Sequence, residues 1–428
     1  SWLGNIAEGQ KVRETLNFGA CAVPPALSVG GAGLDLDFGA YEVMTEGAYE
    51  HVGAGTLTIV WGVSQTWYAY FDRTTNTTAA TQVAGDIDLD GGDIILAIFT
   101  SDPGQQINNI FDTAQTLKWM ERKIPLIVGE NHGTFPTIFQ AVQFVRAMRL
   151  LLKETTWNME IVVAEDTTET VPIVLDQNCE GIRINGAIRD RAQHQVTYDS
   201  NNGSLFELNT VSDVEIGHLN FAYDATKAPA GYDGAVVNLA AGTTALRINI
   251  HDCYTAVNGT HSFTHFIYAN TGTLTQLSVS NCHAQTTDGF ANLELTVGGK
   301  IIFKECFCDQ QGVIVGAQAH GFHLENTDNA MLWNCWTSSV FGAGVSLASC
   351  SAIKIIGGSV TTSGGGIDGQ VAKPSDDVLI QDVHFDTNTI RDVSGEGDNW
   401  RVIGCSAASG TGQGIEFNSG TLALAAYN

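Results

Sequence analysis

One short pattern of hydrophobic and polar positions recurs from about residue 180 onward. It runs apolar, any residue, apolar, two mostly polar or small residues, then a small or apolar residue. Alternation of this kind is typical of short β-strands with one buried face. The pattern occurs at residues 182–187, 214–219, 248–253, 277–282, 301–306, 330–335, 353–358, 378–383 and 400–405.

The spacing of the repeats predicts the architecture. Successive repeats are 22 to 34 residues apart, which is too irregular for a leucine-rich repeat and too short for a propeller blade. A parallel β-helix tolerates such irregularity because insertions leave at the turns while the strands stay in register. A second apolar alternation precedes most repeats by about eleven residues, and two strands per coil support the β-helix. Its instances are residues 206–208, 293–295, 322–324 and 345–347.

The chain before the repeats divides into further parts. Residues 135–154 carry apolar side chains at helical spacing, among them Ile138, Val142 and Val145, which predicts an amphipathic helix that caps the open end of the solenoid. Alternating segments before residue 104 predict a small β-sandwich or barrel-like module. We therefore expect an all-β chain with an N-terminal module at 1–104, a connector at 105–133 and a capped β-helix at 134–428.

The composition of the chain argues against several classes of binding partner. The chain has 47 Gly, 8 Pro and a formal net charge of −26, so a nucleic-acid partner or an anionic membrane surface is disfavoured. No apolar run reaches the roughly 18 residues of a membrane span, and the first residues do not form a signal peptide. Five of the nine Cys fall in the last position of the repeat, which predicts buried free thiols rather than a disulfide framework.

Several segments resemble a known family. TFPTIFQAV at 134–142, IVV at 161–163, VPIVL at 171–175 and IRING at 182–186 look like the start of a pectin-lyase-like right-handed β-helix of bacteriophage tailspike and tail-fibre proteins. YAYFD at 68–72 and DIILAIFT at 93–100 are similar to phage tail modules.

The resemblance implies a virion protein outside the host cell. Such a protein is usually a homotrimer, is attached to other tail proteins through its N-terminal module, and recognises and often cleaves bacterial surface polysaccharide. Two alternatives stay open, namely a non-enzymatic structural or adhesin tail protein and a secreted polysaccharide-degrading enzyme. The few Lys and Arg residues on the solenoid favour a hydrolase over a lyase, because a lyase needs a basic residue to take the proton.

A register argument predicts the candidate catalytic residues. Aligning the second strand of each coil places one outward residue per coil on a common face. That row is Glu207, Asn238, Tyr268, Glu294, His323, Ser346, Asp368, Arg391 and Glu416. Glu325 follows His323 on the same side of its strand, one rung and a diagonal offset from Glu294. Two such carboxylates could serve as acid and nucleophile or base of a glycoside hydrolase, with His323 and Asp368 beside them. The alternative is an ordinary solvated strand face.

Aromatic and polar residues near two loops predict a carbohydrate platform, because sugar rings stack on aromatic faces. The alternative for these residues is loop packing. The candidates are Tyr223, Tyr232, Phe263 and Tyr268, with Asn238 and Arg391 from the aligned face.

Metal-binding motifs are weak, so we expect no required cofactor. Asp86, Asp88 and Asp90 match the first ligand positions of a calcium-binding loop, but position twelve is Ala97 rather than Glu. Cys306 and Cys308 lack the second close Cys pair of a zinc site.

Overall fold

The computed structural model divides the chain into two compact units, Ser1–Leu126 with Gln140–Glu160, and Ile127–Phe139 with Ile161–Asn428. The residues that the structure describes are 21–23, 27–29, 35–45, 48–58, 65–75, 77–83, 86–87, 93–101, 107–112, 125–129, 135–152, 159–187, 194–200, 203–224, 234–256, 262–310, 319–361, 363–408, 413–419 and 422–427.

The first unit contains small antiparallel sheets before residue 113, as predicted for a β-rich N-terminal module, and most of the helix described below. Its core contains Trp67 stacked on Phe99, with ring centroids 6.3 Å apart. The last strand lies within the segment predicted as connector. In sheet order, the strands are Cys21–Val23, Tyr41–Thr45 and Ala48–Val52; Leu27–Val29, Asp35–Phe38 and Gly55–Thr58; and Ile107–Asp112, Ile94–Ser101, Gln65–Asp72 and Thr77–Thr81.

The second unit is the predicted parallel β-solenoid of about nine coils within the described residues. Each coil has three faces rather than the two strands that the sequence indicated. Face 1 follows Leu126–Val128 and contains Met159–Val163, Ile182–Gly186, Val211–Gly217, Thr244–His251, Leu379–Gln381 and Leu422–Tyr427. Face 2 contains Thr167–Glu169, Gln195–Tyr198, Asn220–Tyr223, Tyr254–Ala256, His283–Thr286, Phe307–Gln310 and His384–Asp386.

Face 3 carries the candidate site. Its strands are Ile173–Asp176, Phe206–Asn209, Val237–Leu239, Phe322–Thr327, Ala343–Ala348, Gly365–Gly369, Arg391–Glu396 and Gln413–Ser419. Long strands bend around a corner and contribute to two faces. His265–Ser280 and Gly289–Lys304 join face 3 to face 1, and Ala330–Ser338, Lys354–Thr361 and Trp400–Ala407 join face 1 to face 2.

The corner between faces 1 and 2 has one backbone conformation in successive coils. The residue there adopts a positive φ, between 47° and 66°. Asn, Asp and Gly are the residues that tolerate this left-handed region best, which explains their frequency at this position of the repeat. The corner residues are His218, Asp252, Asn281, Glu305, Asn334, Gly357, Asp382 and Gly404.

The last repeat position points into the solenoid, as the alternation predicted. Leu219, Cys253, Cys282, Cys306, Val383 and Cys405 are buried there. Cys335 and Gly358 are half-buried and Ala187 is exposed. The eight cysteines from Cys179 to Cys405 are free thiols, as predicted.

The helix predicted at 135–154 is present as Ile138–Leu152. Its first backbone amides need acceptors outside the helix. The buried carboxylate of Glu169 supplies them, accepting from the N–H of Ile138 at 2.6 Å and of Phe139 at 3.1 Å. Among the described helices, none is long and apolar enough to cross a membrane.

Candidate functional site

The outward residues of face 3 form a continuous column, one residue per coil. Ladder pairing gives the order Glu207, Asn238, Tyr268, Asn292, His323, Ser346, Asp368, Ser394 and Glu416. We call this row the polar column. Seven of the nine positions are those the sequence alignment predicted.

Two members of the predicted row were wrong. Asn292 takes the position assigned to Glu294, and Ser394 takes that assigned to Arg391. Both Asn292 and Glu294 face outward, because Leu293 and Leu295 are buried. A register error of two residues keeps the same side chains outward, so the alternation pattern could not reveal it. A register shift beside Asn270 makes this coil harder to align.

Glu294 and Glu325 are direct partners in neighbouring coils. The diagonal offset expected between them is absent. Strand spacing within a sheet is about 4.8 Å, so the two side chains project from adjacent rungs of one second row beside the polar column. The structure thus places the two predicted residues side by side on adjacent strands.

The two carboxylates have different surroundings. The ammonium of Lys373 lies 2.6 Å from Glu325 Oε1. Asn292 Nδ2 donates to Glu294 Oε1 at 3.4 Å. The Glu325 side chain is 16% exposed, so its ion pair with Lys373 is only partly screened by water. Glu325 therefore has a cationic neighbour, whereas Glu294 has a neutral amide beside it.

His323 lies between this pair and the rest of the polar column. Its Nδ1 is 3.1 Å from Ser346 Oγ, and its Nε2 is 3.9 Å from Glu325 Oε2. Burial lowers the pKa of His323, although the charges of Glu294 and Glu325 oppose this shift. The imidazole is therefore neutral at pH 7, and it orients Ser346 rather than forming an ion pair.

Two more histidines surround His323. The His320 ring is stacked 5.5 Å from that of His323, and His265 lies 5.4 Å from the ring of Tyr268. Burial lowers the pKa of His320 to about 4 and that of His265 to about 3, and His323 contributes to both shifts. The cluster is uncharged at neutral pH.

A cavity of 380 Å³ opens further along face 3. Asp368, Arg391, Ser394 and His320 are its polar lining. Its apolar lining includes side chains that are largely exposed, namely Phe341 at 67%, Val371 at 73% and Ile390 at 60%. Exposed apolar groups beside fixed polar groups are typical of ligand pockets. The sequence predicted Asp368 and Arg391 but missed the apolar residues, because they lie in loops without periodicity.

The charged groups of this cavity are linked. Arg391 Nη1 donates to Ser394 Oγ at 3.1 Å, and its Nε lies 2.9 Å from Glu416 Oε2. Burial raises the pKa of Asp368, while Ser394 and Arg391 partly oppose the shift. The cavity can thus offer both a hydrogen-bonding carboxyl and a guanidinium to a polar ligand.

The residues of the predicted aromatic platform do not lie together on one surface. Tyr223 and Phe263 are fully buried and pack 5.2 Å apart, and Tyr223 donates to the Ser200 carbonyl at 2.5 Å. A buried ring presents no face to a sugar. Tyr268 is buried as well, with 8% of its surface exposed, whereas Asn238 is partly exposed on the polar column, and Tyr232 is outside the described residues.

The calcium prediction falls mostly outside the described residues. Asp86 is exposed and accepts from the Thr81 hydroxyl at 2.8 Å, whereas Asp88 and Asp90 are not described. Calcium binding there stays a prediction.

No protein-family model matches the chain, and no curated protein matches its sequence. Solved structures similar to it include phage tailspikes. The Dettilon tailspike protein is 13% identical, with a TM-score of 0.47 over 68% of this chain and 59% of its own length. An Acinetobacter phage tailspike is 12% identical, with a TM-score of 0.45 over 77% of this chain and 66% of its own.

An enzyme is among the similar structures as well. The DFA-IIIase of Arthrobacter chlorophenolicus, in complex with DFA-III, is 12% identical, with a TM-score of 0.48 over 69% of this chain and 81% of its own. At these identities the similarity is one of fold. The chain spans less than two thirds of either tailspike.

Proposed function

We propose that this chain is a phage tail protein that recognises bacterial surface polysaccharide on face 3 and hydrolyses it there. The observation that carries the proposal is the cavity on face 3, where an exposed Phe341 ring stands beside Asp368 and Arg391. Sugar rings need an apolar surface for their C–H face and charged or polar groups for their hydroxyls. The partly exposed members of the polar column, among them Asn238, Asn292 and Glu416, continue this surface on other coils, as a polymeric ligand requires.

The binding step uses the cavity. Phe341 supplies the stacking surface, and Asp368 accepts hydrogen bonds from sugar hydroxyls. Arg391 is held in place by Glu416 and Ser394, so little conformational entropy is lost when it donates to the ligand. Asn238 and Glu207, which are partly exposed on the polar column, extend the same surface toward the first coils.

The hydrolytic step uses Glu294 and Glu325. Glu325, which the ion pair with Lys373 holds in place, acts as the nucleophile, and Glu294 donates the proton to the leaving glycosidic oxygen. Carboxyl groups of retaining glycosidases are about 5–5.5 Å apart, whereas inverting enzymes need roughly 6.5–9.5 Å. Direct pairing on adjacent rungs about 4.8 Å apart favours the retaining arrangement.

Bonds and protons balance in this scheme. Glu325 Oε forms a bond to the anomeric carbon as the glycosidic C–O bond breaks, and Glu294 gives its proton to the leaving oxygen. Glu294 then takes a proton from water, whose oxygen displaces Glu325. The products are a new reducing end and the regenerated carboxyls.

The place of the protein in the virion is part of the proposal. We propose a homotrimer with pectin-lyase-like right-handed coils, bound to other tail proteins through residues 1–104 and attaching the particle to its host. The segments at 68–72 and 134–142 support this through their resemblance to phage tail proteins.

Product analysis tests the proposal. The purified protein is incubated with capsule or lipopolysaccharide of the host, and products are analysed by mass spectrometry. We expect saturated fragments with new reducing ends, reduced at least 100-fold in E294Q and E325Q but unchanged in E160Q, a control at an exposed Glu. Cleavage that persists in E294Q and E325Q would assign the chemistry to other residues. If the unaltered protein binds the glycan without cleaving it, the protein is an adhesin and the hydrolytic role is wrong.

A further inference from the structure

Three potential metal ligands converge at the corner between faces 1 and 2, away from face 3. They are His218, His251 and Asp252, and one ligand atom of each lies within 4.8 Å of the others. They come from two consecutive coils, since Gly217 pairs with His251 in the ladder. This cluster has no role in the proposed polysaccharide site.

The local backbone brings the side chains together. His218 and Asp252 occupy the left-handed corner position of successive coils, with φ of 56° and 52°. Gly217 leaves room for the imidazole of His251, because a Cβ at position 217 would lie 2.4 Å from His251 Cε1. The glycine thus lets one coil's imidazole lie directly on the backbone of the preceding coil.

The ligand atoms are spaced as a metal requires. Asp252 Oδ2 is 2.9 Å from His251 Nδ1 and 3.7 Å from His218 Nδ1. The two imidazole rings are 4.9 Å apart at 80°. Bonds of about 2.0–2.1 Å in a tetrahedral zinc site place ligand atoms roughly 3.3 Å from each other. The observed separations of 2.9 Å and 3.7 Å lie just below and just above this zinc-site value.

A second layer of contacts orients these ligands. Glu215 Oε1 is 3.5 Å from His251 Nε2, the ring nitrogen that faces away from Asp252. Asn185 Nδ2 donates to the same Glu215 oxygen at 3.2 Å, and Asn281 Nδ2 donates to Asp252 Oδ1 at 2.6 Å. A carboxylate on the outer nitrogen of a ligating histidine is the usual support of a zinc site.

We propose that His218 Nδ1, His251 Nδ1 and Asp252 Oδ2 bind a divalent zinc ion that clamps two consecutive coils of the solenoid. Two imidazoles and one carboxylate suit zinc among the biological divalent ions. The three side chains are 19%, 18% and 35% exposed, so solvent can reach the fourth position. Binding to the folded state alone raises its stability.

Zinc titration of the untagged, chelator-treated full chain tests the site. We expect one zinc ion per chain, measured by competition with a chromophoric chelator, and at least tenfold weaker binding in H218Q, H251Q and D252N. E215Q should weaken binding by about 10–100-fold through loss of orientation. H384Q, at an exposed histidine of another coil, should bind as the unaltered protein does.

Two further measurements keep the test decisive if a variant misfolds. Cobalt added to the unaltered protein should give the intense visible absorption of a tetrahedral site, and zinc should raise its thermal unfolding midpoint. Absence of stoichiometric zinc binding, or equal binding in folded H251Q and D252N, would overturn the proposal and leave a hydrogen-bonded cluster.

Discussion

Lys373 places its ammonium 2.6 Å from the carboxylate of Glu325, although 48 residues separate them in the sequence. The contact joins a turn after one face 3 strand to a strand two coils earlier. It distinguishes Glu325 from Glu294, which is otherwise its equivalent on the adjacent rung. This difference underlies the roles proposed for the two carboxylates.

Replacing Lys373 by Met should reduce hydrolysis by about tenfold in kcat, equivalent to about 1.4 kcal/mol of barrier. The ammonium that orients the Glu325 carboxylate is lost, while the cavity that binds the glycan is unchanged. Steady-state kinetics on a soluble glycan fragment measure both parameters, and K373R should retain more activity. A change confined to KM would contradict the role given to Lys373.

His265 should make the fold sensitive to acid. Its side chain is buried, and burial lowers its pKa from 6.5 to about 3. A base with a lowered folded pKa stabilises the fold fully above pH 6.5, and this stabilisation is lost as the pH falls toward 3. The loss is up to about 5 kcal/mol. Denaturant unfolding measures this loss. Relative to H265Q, the unaltered protein should lose unfolding free energy as the pH is lowered from 6.5 toward 3.

Glu169 should have the opposite pH dependence. Burial raises its pKa to about 7, although the amides of Ile138 and Phe139 oppose the shift. A carboxyl with a raised folded pKa stabilises the fold fully below pH 4.5, and this contribution is lost as the pH rises through 7. Relative to E169Q, the unaltered protein should therefore lose about 3 kcal/mol of unfolding free energy over that range. A pH-independent difference would show that the helix amides hold Glu169 ionised throughout.

The buried thiols should resist modification. Burial raises the pKa of Cys282, Cys306 and Cys405, and that of Cys308 to about 12. The reactive thiolate is therefore scarce and sterically covered. We expect mass spectrometry after brief alkylation to show no labelling of these four in the native protein and full labelling in denaturant. Rapid native labelling of Cys282 would contradict the buried column.

The sequence predicted the solenoid because its strongest signals are local. Apolar alternation identified the strands of face 1, and the cysteines at the last repeat position identified a row of buried residues inside the solenoid. Face 2 was missed because strands such as Tyr254–Ala256 and His384–Asp386 have only three residues, which is too short for alternation to be visible.

The site was predicted only in part. Polar alternation placed Glu294, Glu325 and Asp368 on the outward side of face 3 strands, but it could not fix the register of Glu294 within two residues. Lys373 and Phe341 lie in turns, and their approach to face 3 depends on how the coils stack. The cluster of His218, His251 and Asp252 was missed because the two histidines belong to different coils and carry no spacing motif.

Glycan binding to F341A tests the account most directly. Affinity for the host polysaccharide is measured in an E294Q background, which leaves the glycan uncut. The account predicts at least tenfold weaker binding, equivalent to about 1.4 kcal/mol, for F341A and unchanged binding for W333A, an exposed aromatic on face 1. Equal affinity of F341A and the parent, or a loss confined to W333A, would contradict a polysaccharide site on face 3.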